Sequence, residues 1–227
     1  MAIPSGSAIW KKYEQLYLEI FSTALINLSV KDSLPGKEDA ISEKMYPVLN
    51  RICWGKNVAT PSWKLPIAPL TEEELTGGKK NPCPDFTCKF RNDRDGLVEE
   101  FEIPLHVECK LLGKRTSRTW ILNKEYVING IKRFDSNKHG YGKRALSGIM
   151  IGYIISMTPE EINIEVNNFQ SKHLPANAPI TFDFNQAIPF QTRQGIKRQN
   201  VIPDQFEIIH LWIDLRKSYQ PSATIIE

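Results

Sequence analysis

The sequence predicts an α/β fold, because segments with helical and with strand periodicity alternate along the chain. Residues 8–28 carry apolar side chains at helical spacing, whereas Leu105-His106-Val107-Glu108-Cys109-Lys110 alternates apolar and polar side chains as a strand does. Residues 147–156 form a near-continuous apolar run between turn signals, which is typical of a central strand buried on both faces.

The remaining elements are predicted from local signals. Pro47 lies inside the second predicted helix, so we expect that helix to be kinked or to start late. Thr158-Pro159-Glu160-Glu161 combines an N-cap threonine, a proline in the first turn and a capping-box glutamate. The proline- and glycine-containing stretch 55–81 is predicted to be irregular. The predicted elements are helices at 8–28 and 38–53, a β-hairpin at 85–112, a helix at 122–134, a strand at 147–156, a helix from 158 to about 172, and strands at 181–184 and 206–215.

Composition and charge limit the class of protein. Hydrophobic residues make up 41% and charged residues 24% of the 227, which is ordinary for a folded domain. No run approaches the roughly 18 apolar residues of a membrane span, and no basic-then-apolar signal begins the chain, so we expect a cytoplasmic protein that does not contact a membrane. The four cysteines form no zinc pattern and are expected to be buried free thiols.

The most informative residues are Pro84-Asp85 and, 23 positions after Asp85, Glu108-Cys109-Lys110. Residues i and i+2 of a strand point to the same face, so Glu108 and Lys110 should project together. Two carboxylates can hold a divalent cation through hard oxygen ligands. A neighbouring lysine can orient the attacking water and stabilise the charge that develops on a phosphate. The alternative is a solvated hairpin with ordinary surface charges.

This arrangement resembles the PD-(D/E)XK restriction-endonuclease-like superfamily. The resemblance implies a central mixed β-sheet flanked by helices, with Mg²⁺ as cofactor and Mn²⁺ as a substitute. It makes Asp85 and Glu108 the acidic metal ligands, the backbone carbonyl of Cys109 a further ligand, and Lys110 the catalytic lysine. It also implies a helical glutamate in the site, for which Glu43 is chosen over the rivals Glu14, Glu19 and Glu38.

The resemblance is specific over residues 38–156. We therefore expect a single nuclease-like domain over 1–227, with an N-terminal helical lead at 1–37, the catalytic core at 38–156, and a C-terminal helix and strands at 157–227 that complete the sheet. The predicted helix after the lysine strand carries Asn123 and Tyr126 but lacks the Gln-x-x-x-Tyr spacing of one branch of the superfamily.

Basic residues follow the acidic motif closely. Residues 110–144 contain ten lysines and arginines against two acids, a balance of +8, although the whole chain has a net charge of only +3. Such clustering favours phosphate binding through counterion release, while a solvated helix face and loop is the alternative. The candidate phosphate contacts are Lys114, Arg115, Arg118, Lys132, Arg133, Lys143 and Arg144. His106 and His139 are candidates for another chemistry.

The sequence therefore predicts a metal-dependent endonuclease that hydrolyses phosphodiester bonds, with double-stranded DNA the favoured substrate. By analogy with the family, the expected role is a restriction or phage-defence effector. Two alternatives stay open. One is a nucleic-acid-binding or adaptor subunit that does not cut, and the other is a metal-free interaction subunit that uses residues 208–213 as an interface. A homodimer or a regulatory protein partner is also left open.

Overall fold

The structure, a computed structural model, describes residues 6–69, 82–91, 102–117 and 119–221. Over these ranges the chain forms one six-stranded mixed β-sheet with helices packed on it, which confirms the α/β class. None of the described helices combines the length and the apolar character that a membrane crossing requires.

The sheet has the strand order β1-β2-β3-β4-β6-β5. The two central pairings, β3 with β4 and β4 with β6, are parallel, and the outer three are antiparallel. The strands are β1 (Ser62–Trp63), β2 (Phe86–Arg91), β3 (Glu102–Leu112), β4 (Ser147–Ile154), β5 (Phe190–Lys197) and β6 (Gln205–Asp214).

Strand β4 is the predicted central strand, and all eight of its residues are buried. Strand β6, which contains residues 208–213, lies between β4 and β5, and those six residues are buried as well. The apolar run 208–213 is therefore core, and the interpretation of that run as an exposed interface is wrong.

Within the described ranges, four α-helices and one 3₁₀-helix accompany the sheet. The helices predicted at 8–28 and from 158 to about 172 are confirmed. The second helix starts at Glu38 and continues through Pro47, so the expectation of a late start is wrong. Helix α4 has the predicted capping box, in which Thr158 and Glu161 each accept the other's backbone N–H. The helices are α1 (Gly6–Ser29), α2 (Glu38–Lys56), α3 (Leu122–Ile128) and α4 (Pro159–His173), and the 3₁₀-helix is Ile131–Asp135.

Helices α1 and α2 pack on one face of the sheet. Phe21 of α1 contacts Phe86 of β2, with ring centroids 5.6 Å apart, and Ser42 of α2 hydrogen-bonds the hydroxyl of Tyr153 in β4 at 3.1 Å. The 3₁₀-helix, α3 and α4 belong to the opposite layer. Side chains alternate between faces along a strand, so neighbouring residues of β3 contact different layers.

The single helix predicted at 122–134 is instead two short helices. Gly130 separates them, and an added Cβ at this position would lie 2.3 Å from the carbonyl oxygen of Tyr126 and 2.5 Å from the Met150 side chain. This close approach lets the chain turn at the end of α3, and the 3₁₀-helix begins directly after it. The prediction was wrong because helical periodicity does not reveal that the backbone at Gly130 packs directly against Met150 of β4.

The strand predicted at 181–184 is absent, and a strand that was not predicted, β5, follows it. The alternating Phe182 and Phe184 suggested a strand, but their rings stack at 5.5 Å, and Phe182 packs on Trp212 at 4.3 Å. Strand β5 is an edge strand with many polar residues, so its composition resembles that of a loop.

Candidate active site

The sheet has an opening next to β3. Strand β2 begins one residue after Asp85 and pairs no further along β3 than Val107. The amides of Cys109 and Leu111 therefore find other acceptors: the Asp85 carboxylate accepts the Cys109 N–H at 2.7 Å, and the Glu38 carboxylate accepts the Leu111 N–H at 3.1 Å. We call this side of β3, residues 108–112, the open edge. Two carboxylates take the place that a neighbouring strand would have there.

The ammonium group of Lys110 joins the Glu38 carboxylate to that of Glu108. Its Nζ lies 2.8 Å from Oε1 of Glu108 and 2.8 Å from Oε1 of Glu38, and it donates to the backbone carbonyl of Cys109 at 2.7 Å. Glu108 and Lys110 are 1% and 8% exposed. The three contacts use the three donors of an ammonium, so the side chain is held in one position.

Arg133, from the 3₁₀-helix, contacts the same acid from the other side. Its guanidinium donates to Oε1 of Glu108 at 2.5 Å. The second oxygen of Glu108, Oε2, is buried and has no hydrogen-bond partner in the described structure. A buried carboxylate oxygen without a partner carries a substantial desolvation cost, so this atom is available to a cation or a hydrogen-bond donor.

Lys64 completes the cluster from the loop after β1. Its Nζ lies 2.6 Å from Oδ1 of Asp85 and 2.9 Å from Oδ1 of Asp39, the second residue of α2. No sequence pattern singles out Lys64, because this residue reaches the site only through the two-residue pairing of β1 with β2.

Burial controls the protonation of Glu108. It raises the pKa of this carboxyl to about 7, and the nearby charge of Asp85 adds to the increase, while Lys110 and Arg133 oppose it. Burial alone would lower the pKa of Lys110, but the carboxylates of Glu108, Glu38 and Asp85 outweigh it, and the net pKa is raised. Burial likewise raises the pKa of Glu38. Lys110 is therefore cationic at neutral pH, and Glu108 is close to its titration midpoint.

The cluster contains three cations and three buried or half-buried carboxylates, and the exposed Asp39 is a fourth carboxylate at its rim. Its members are the cations Lys64, Lys110 and Arg133 and the carboxylates Glu38, Asp85 and Glu108. Each buried acid thus has a cationic partner, which limits the cost of removing it from water.

The donor atoms at the open edge fit a hard divalent cation by type. Asp85 and Glu108 supply carboxylate oxygens, one of them the unpartnered Oε2, and the Cys109 carbonyl is a further oxygen on the same side as its amide. Within the described ranges, no three His, Cys, Asp or Glu side chains are grouped so that they could hold a metal ion by side chains alone. A metal ion at the open edge would therefore need oxygen ligands other than side chains, and the Cys109 carbonyl is one such oxygen, while the Cys109 thiol is buried.

The helical glutamate of the cluster is Glu38 and not Glu43. Glu43 is exposed and makes no ion pair or hydrogen bond with the cluster in the described structure. Glu38, one of the three rivals, is the first residue of α2 and contacts both Lys110 and Leu111. The helical periodicity contained this signal, since Glu38 is three residues before the buried Ile41 and so lies on the same side of α2.

The candidate phosphate contacts have different environments. Arg118 lies outside the described residues. Lys114, Arg115 and Lys132 are exposed, whereas Arg133, Lys143 and Arg144 are half-buried. Arg133 is already paired with Glu108, so it belongs to the acidic cluster as well as to the basic set.

The other basic residues lie toward two ends of β3. The backbone N–H of Lys114 donates to Ser156 at 2.9 Å, just past the end of β4. The loop 136–146 lies at the other end, where the N–H of Gly142 donates to Nδ1 of His106 at 2.9 Å. At about 3.3 Å per residue, His106 and the last residue of β3 are roughly 20 Å apart. Clustering in sequence therefore does not produce one compact patch, and the acidic cluster lies between the two groups.

Neither histidine candidate has the geometry of a catalytic group in the cluster. His106 is buried, burial lowers its pKa to about 3, and Nδ1 accepts the Gly142 N–H, so its role is to hold the basic loop. His139 contacts Ser136 at 3.0 Å. Asn123 and Tyr126 are also buried, where they bind Gly113 and His210.

All four cysteines are free, and Cys53, Cys88 and Cys109 are buried while Cys83 is half-buried. The prediction of free thiols is therefore confirmed, with Cys83 less enclosed than expected. Scans of the chain against protein-family models, curated proteins and solved structures found no match.

Proposed function

We propose that this protein is a metal-dependent nuclease that hydrolyses phosphodiester bonds, and that its sheet is a restriction-endonuclease-like core. The observation that supports this most is the convergence of Asp85, Glu108 and Lys110 at the open edge of β3. One acid directly before a strand, a second acid on the adjacent strand and a lysine two residues after the second acid match the pattern of that superfamily. The geometry adds support that the sequence motif does not contain, because nothing in the sequence requires β2 to begin at the point where these side chains meet.

Each residue has a distinct role in this proposal. Asp85, Glu108 and the Cys109 carbonyl would hold Mg²⁺ or Mn²⁺. When bound, such an ion supplies Lewis acidity toward the phosphate and lowers the pKa of water. Lys110 would exchange one of its three present acceptors for the attacking water, and its buried positive charge would orient that water and stabilise charge on the phosphate oxygens. Glu38 positions that ammonium, and Arg133 offers a partly exposed guanidinium beside the same acid.

The exposed basic residues would bind the nucleic-acid backbone. Lys114, Arg115 and Lys132 can contact phosphates without leaving a buried partner. Because the basic groups lie on both sides of the acidic cluster, a duplex that contacts both would pass over the cluster. This arrangement favours double-stranded DNA as the substrate.

A second candidate function is a nucleic-acid-binding or adaptor subunit that does not cut. The observation in its favour is that every carboxylate of the cluster is paired with a cation: Lys64 with Asp85, and Lys110 with Glu108 and Glu38. Such a cluster is stable without a metal. This alternative predicts binding that depends on salt and is indifferent to Mg²⁺.

The biological role rests on family analogy. We propose a restriction or phage-defence effector that acts in the cytoplasm, where its substrate is accessible. It would act alone, as a homodimer, or under the control of a partner protein. Two active sites are needed to cut both strands at once, so a homodimer is the simplest arrangement for double-strand cleavage.

The test is a cleavage assay on supercoiled plasmid, linear duplex, single-stranded DNA and RNA, each with Mg²⁺, Mn²⁺ or EDTA. Wild type is compared with Lys110→Ala and with Lys44→Ala, which removes an exposed lysine of α2. We expect metal-dependent cleavage by wild type and by Lys44→Ala, and none by Lys110→Ala. Cleavage that survives in Lys110→Ala would remove that lysine from the mechanism. Tight binding with no cleavage by any of the three proteins would favour the adaptor.

A further inference from the structure

Lys64 occupies an unusual position between two carboxylates. Its ammonium group lies 2.6 Å from Asp85 and 2.9 Å from Asp39, so one cation bridges two acids from different elements. The side chains of the two acids are 2% and 67% exposed, and that of Lys64 is 35% exposed. The bridge therefore runs from a buried position at the open edge to one at the surface.

The backbone fixes where Lys64 begins. Its own N–H donates to the backbone carbonyl of Asp85 at 3.0 Å, directly after the pairing of Trp63 with Phe86. Lys64 has a φ of +49°, in the left-handed region that residues with a Cβ adopt rarely and at some cost. This conformation ends β1 and places the side chain beside the carboxylate, so the contact is built into the chain path.

We propose that Lys64 is a displaceable internal cation, which neutralises Asp85 in the metal-free protein and moves to Asp39 when a divalent ion binds. The inference rests on the proposed function, because it takes Asp85 as a metal ligand. An ammonium 2.6 Å from Oδ1 and a divalent ion on the same carboxylate would repel each other strongly at such short range. Asp39 already holds the other side of the ammonium, so Lys64 needs only to give up one of two contacts.

The exposure of the two acids sets the direction of the exchange. Asp85 is buried and needs a positive partner at all times, whether lysine or metal. Asp39 is solvated and tolerates either state. Metal entry therefore replaces one cation at the buried acid by another and leaves no buried charge unpaired.

The test is Mn²⁺ binding, measured by electron paramagnetic resonance on the chelator-treated full-length protein at pH 8. Lys64→Gln removes the competing charge, so we expect Mn²⁺ to bind about tenfold more tightly. Lys64→Arg keeps a cation and should bind like wild type. Asp39→Asn removes the surface partner and should weaken binding a few-fold, and Lys44→Gln is the control for loss of an exposed lysine.

A double-mutant cycle separates displacement from a general change in charge. If Lys64 moves to Asp39, then Asp39→Asn should have no effect in the Lys64→Gln background. Equal effects of Asp39→Asn in both backgrounds would overturn the proposal, as would unchanged or weaker Mn²⁺ binding by Lys64→Gln. Absence of Mn²⁺ binding in every variant would overturn it too. Because Asp39 is exposed, Asp39→Asn should fold even if Lys64→Gln does not, and unchanged Mn²⁺ binding by Asp39→Asn would by itself overturn the proposal.

Cleavage assays on the same proteins distinguish the two proposals. A protein that cuts DNA but whose Mn²⁺ affinity does not respond to Lys64→Gln would sink only the role of Lys64. A protein that shows the predicted Mn²⁺ affinities but cuts no nucleic acid would support the role of Lys64 and argue against the nuclease.

Discussion

Asp85 accepts the backbone N–H of Cys109 across 2.7 Å, in place of a neighbouring strand. Asp85 has two functions in one position, because the same carboxylate accepts a backbone N–H at the open edge and pairs with Lys64. The hydrogen bond also brings the carboxylate beside the Cys109 carbonyl. A structural hydrogen bond thus determines where the proposed metal ligands lie.

Replacement of Asp85 should reveal its structural function separately from catalysis. Asp85→Ala leaves the buried Cys109 amide without its acceptor, and we expect the free energy of unfolding to fall by about 1–3 kcal/mol. Asp85→Asn keeps an acceptor oxygen and should cost less. Urea denaturation of the metal-free proteins measures both. Equal losses for the two variants would show that the N–H acceptor is not what stabilises this edge.

Glu38 and Glu43 form a matched pair on one helix. Glu38→Gln removes the charge that holds Lys110, and we expect cleavage to slow roughly 10- to 100-fold, as is typical when a group that orients a site residue is lost. Glu43→Gln changes an exposed residue and should stay within about twofold of wild type. Single-turnover rates at saturating Mg²⁺ measure the difference. A reversed order would restore Glu43 as the helical glutamate.

Metal binding should depend on the protonation of Glu108. With a pKa of about 7, this carboxyl is largely protonated at pH 6 and ionised at pH 8. We expect Mn²⁺ affinity to fall about tenfold between pH 8 and pH 6, with proton uptake on metal release. Calorimetric titration in buffers of different ionisation enthalpy counts the protons. Affinity that is flat across this range would exclude Glu108 as a titrating ligand.

Two buried histidines should make the protein sensitive to acid. Burial lowers the pKa of His106 and of His210 to about 3, below the unfolded value near 6.5. The two neutral histidines therefore make their full contribution to the free energy of unfolding above pH 6.5, and that contribution declines as the pH falls toward 3. Each histidine contributes a slope of about 1.4 kcal/mol per pH unit in that range. Glu108, with its raised pKa, acts in the opposite sense, since its contribution is lost as the pH rises through 7.

The histidine contribution can be isolated by substitution. His210→Gln should flatten the dependence of the unfolding free energy on pH by about 1.4 kcal/mol per unit between pH 6 and pH 4. Urea denaturation of wild type and variant at several pH values measures both slopes. Parallel curves would mean that folding does not lower the pKa of His210.

The exposed basic residues after β3 should contribute to DNA affinity in proportion to their number. Lys114→Gln with Arg115→Gln removes two phosphate contacts, so the slope of log affinity against log salt should decrease by about two. The control replaces Lys44 and Arg51, two exposed basic residues of α2, by glutamine. Fluorescence anisotropy with a labelled duplex at several salt concentrations measures the slopes. The same change in both double variants would indicate a non-specific charge effect.

Local patterns in the sequence predicted the parts of the fold that depend on local physics. The apolar run at 147–156 predicted β4, and the residues of the Thr158 capping box predicted α4. The proximity of Glu108 and Lys110 also follows from local geometry, because side chains two residues apart in a strand share a face.

Contacts between distant segments were not predictable in this way. Lys64 reaches Asp85 only because two residues of β1 pair with β2, and no periodicity signals so short a strand. Arg133 looked like a phosphate contact because its neighbours in sequence are basic, but the turn at Gly130 directs it to Glu108. Helical periodicity alone does not show which of the helical glutamates contacts β3. Only the end of β2 opposite Val107 explains why the first residue of α2 is the one that does.

The pairing of Phe86 with Val107 couples the register between β2 and β3 to the position of the candidate site, so a change in one alters the other. A single-codon deletion between Glu102 and Val107 would shift β3 by one position relative to β2 and β4. Such a shift turns the side chains that follow the deletion to the opposite face, so Glu108 and Lys110 would point to α1 and α2. Lineages of this protein should therefore tolerate substitutions in β3 more readily than changes in its length.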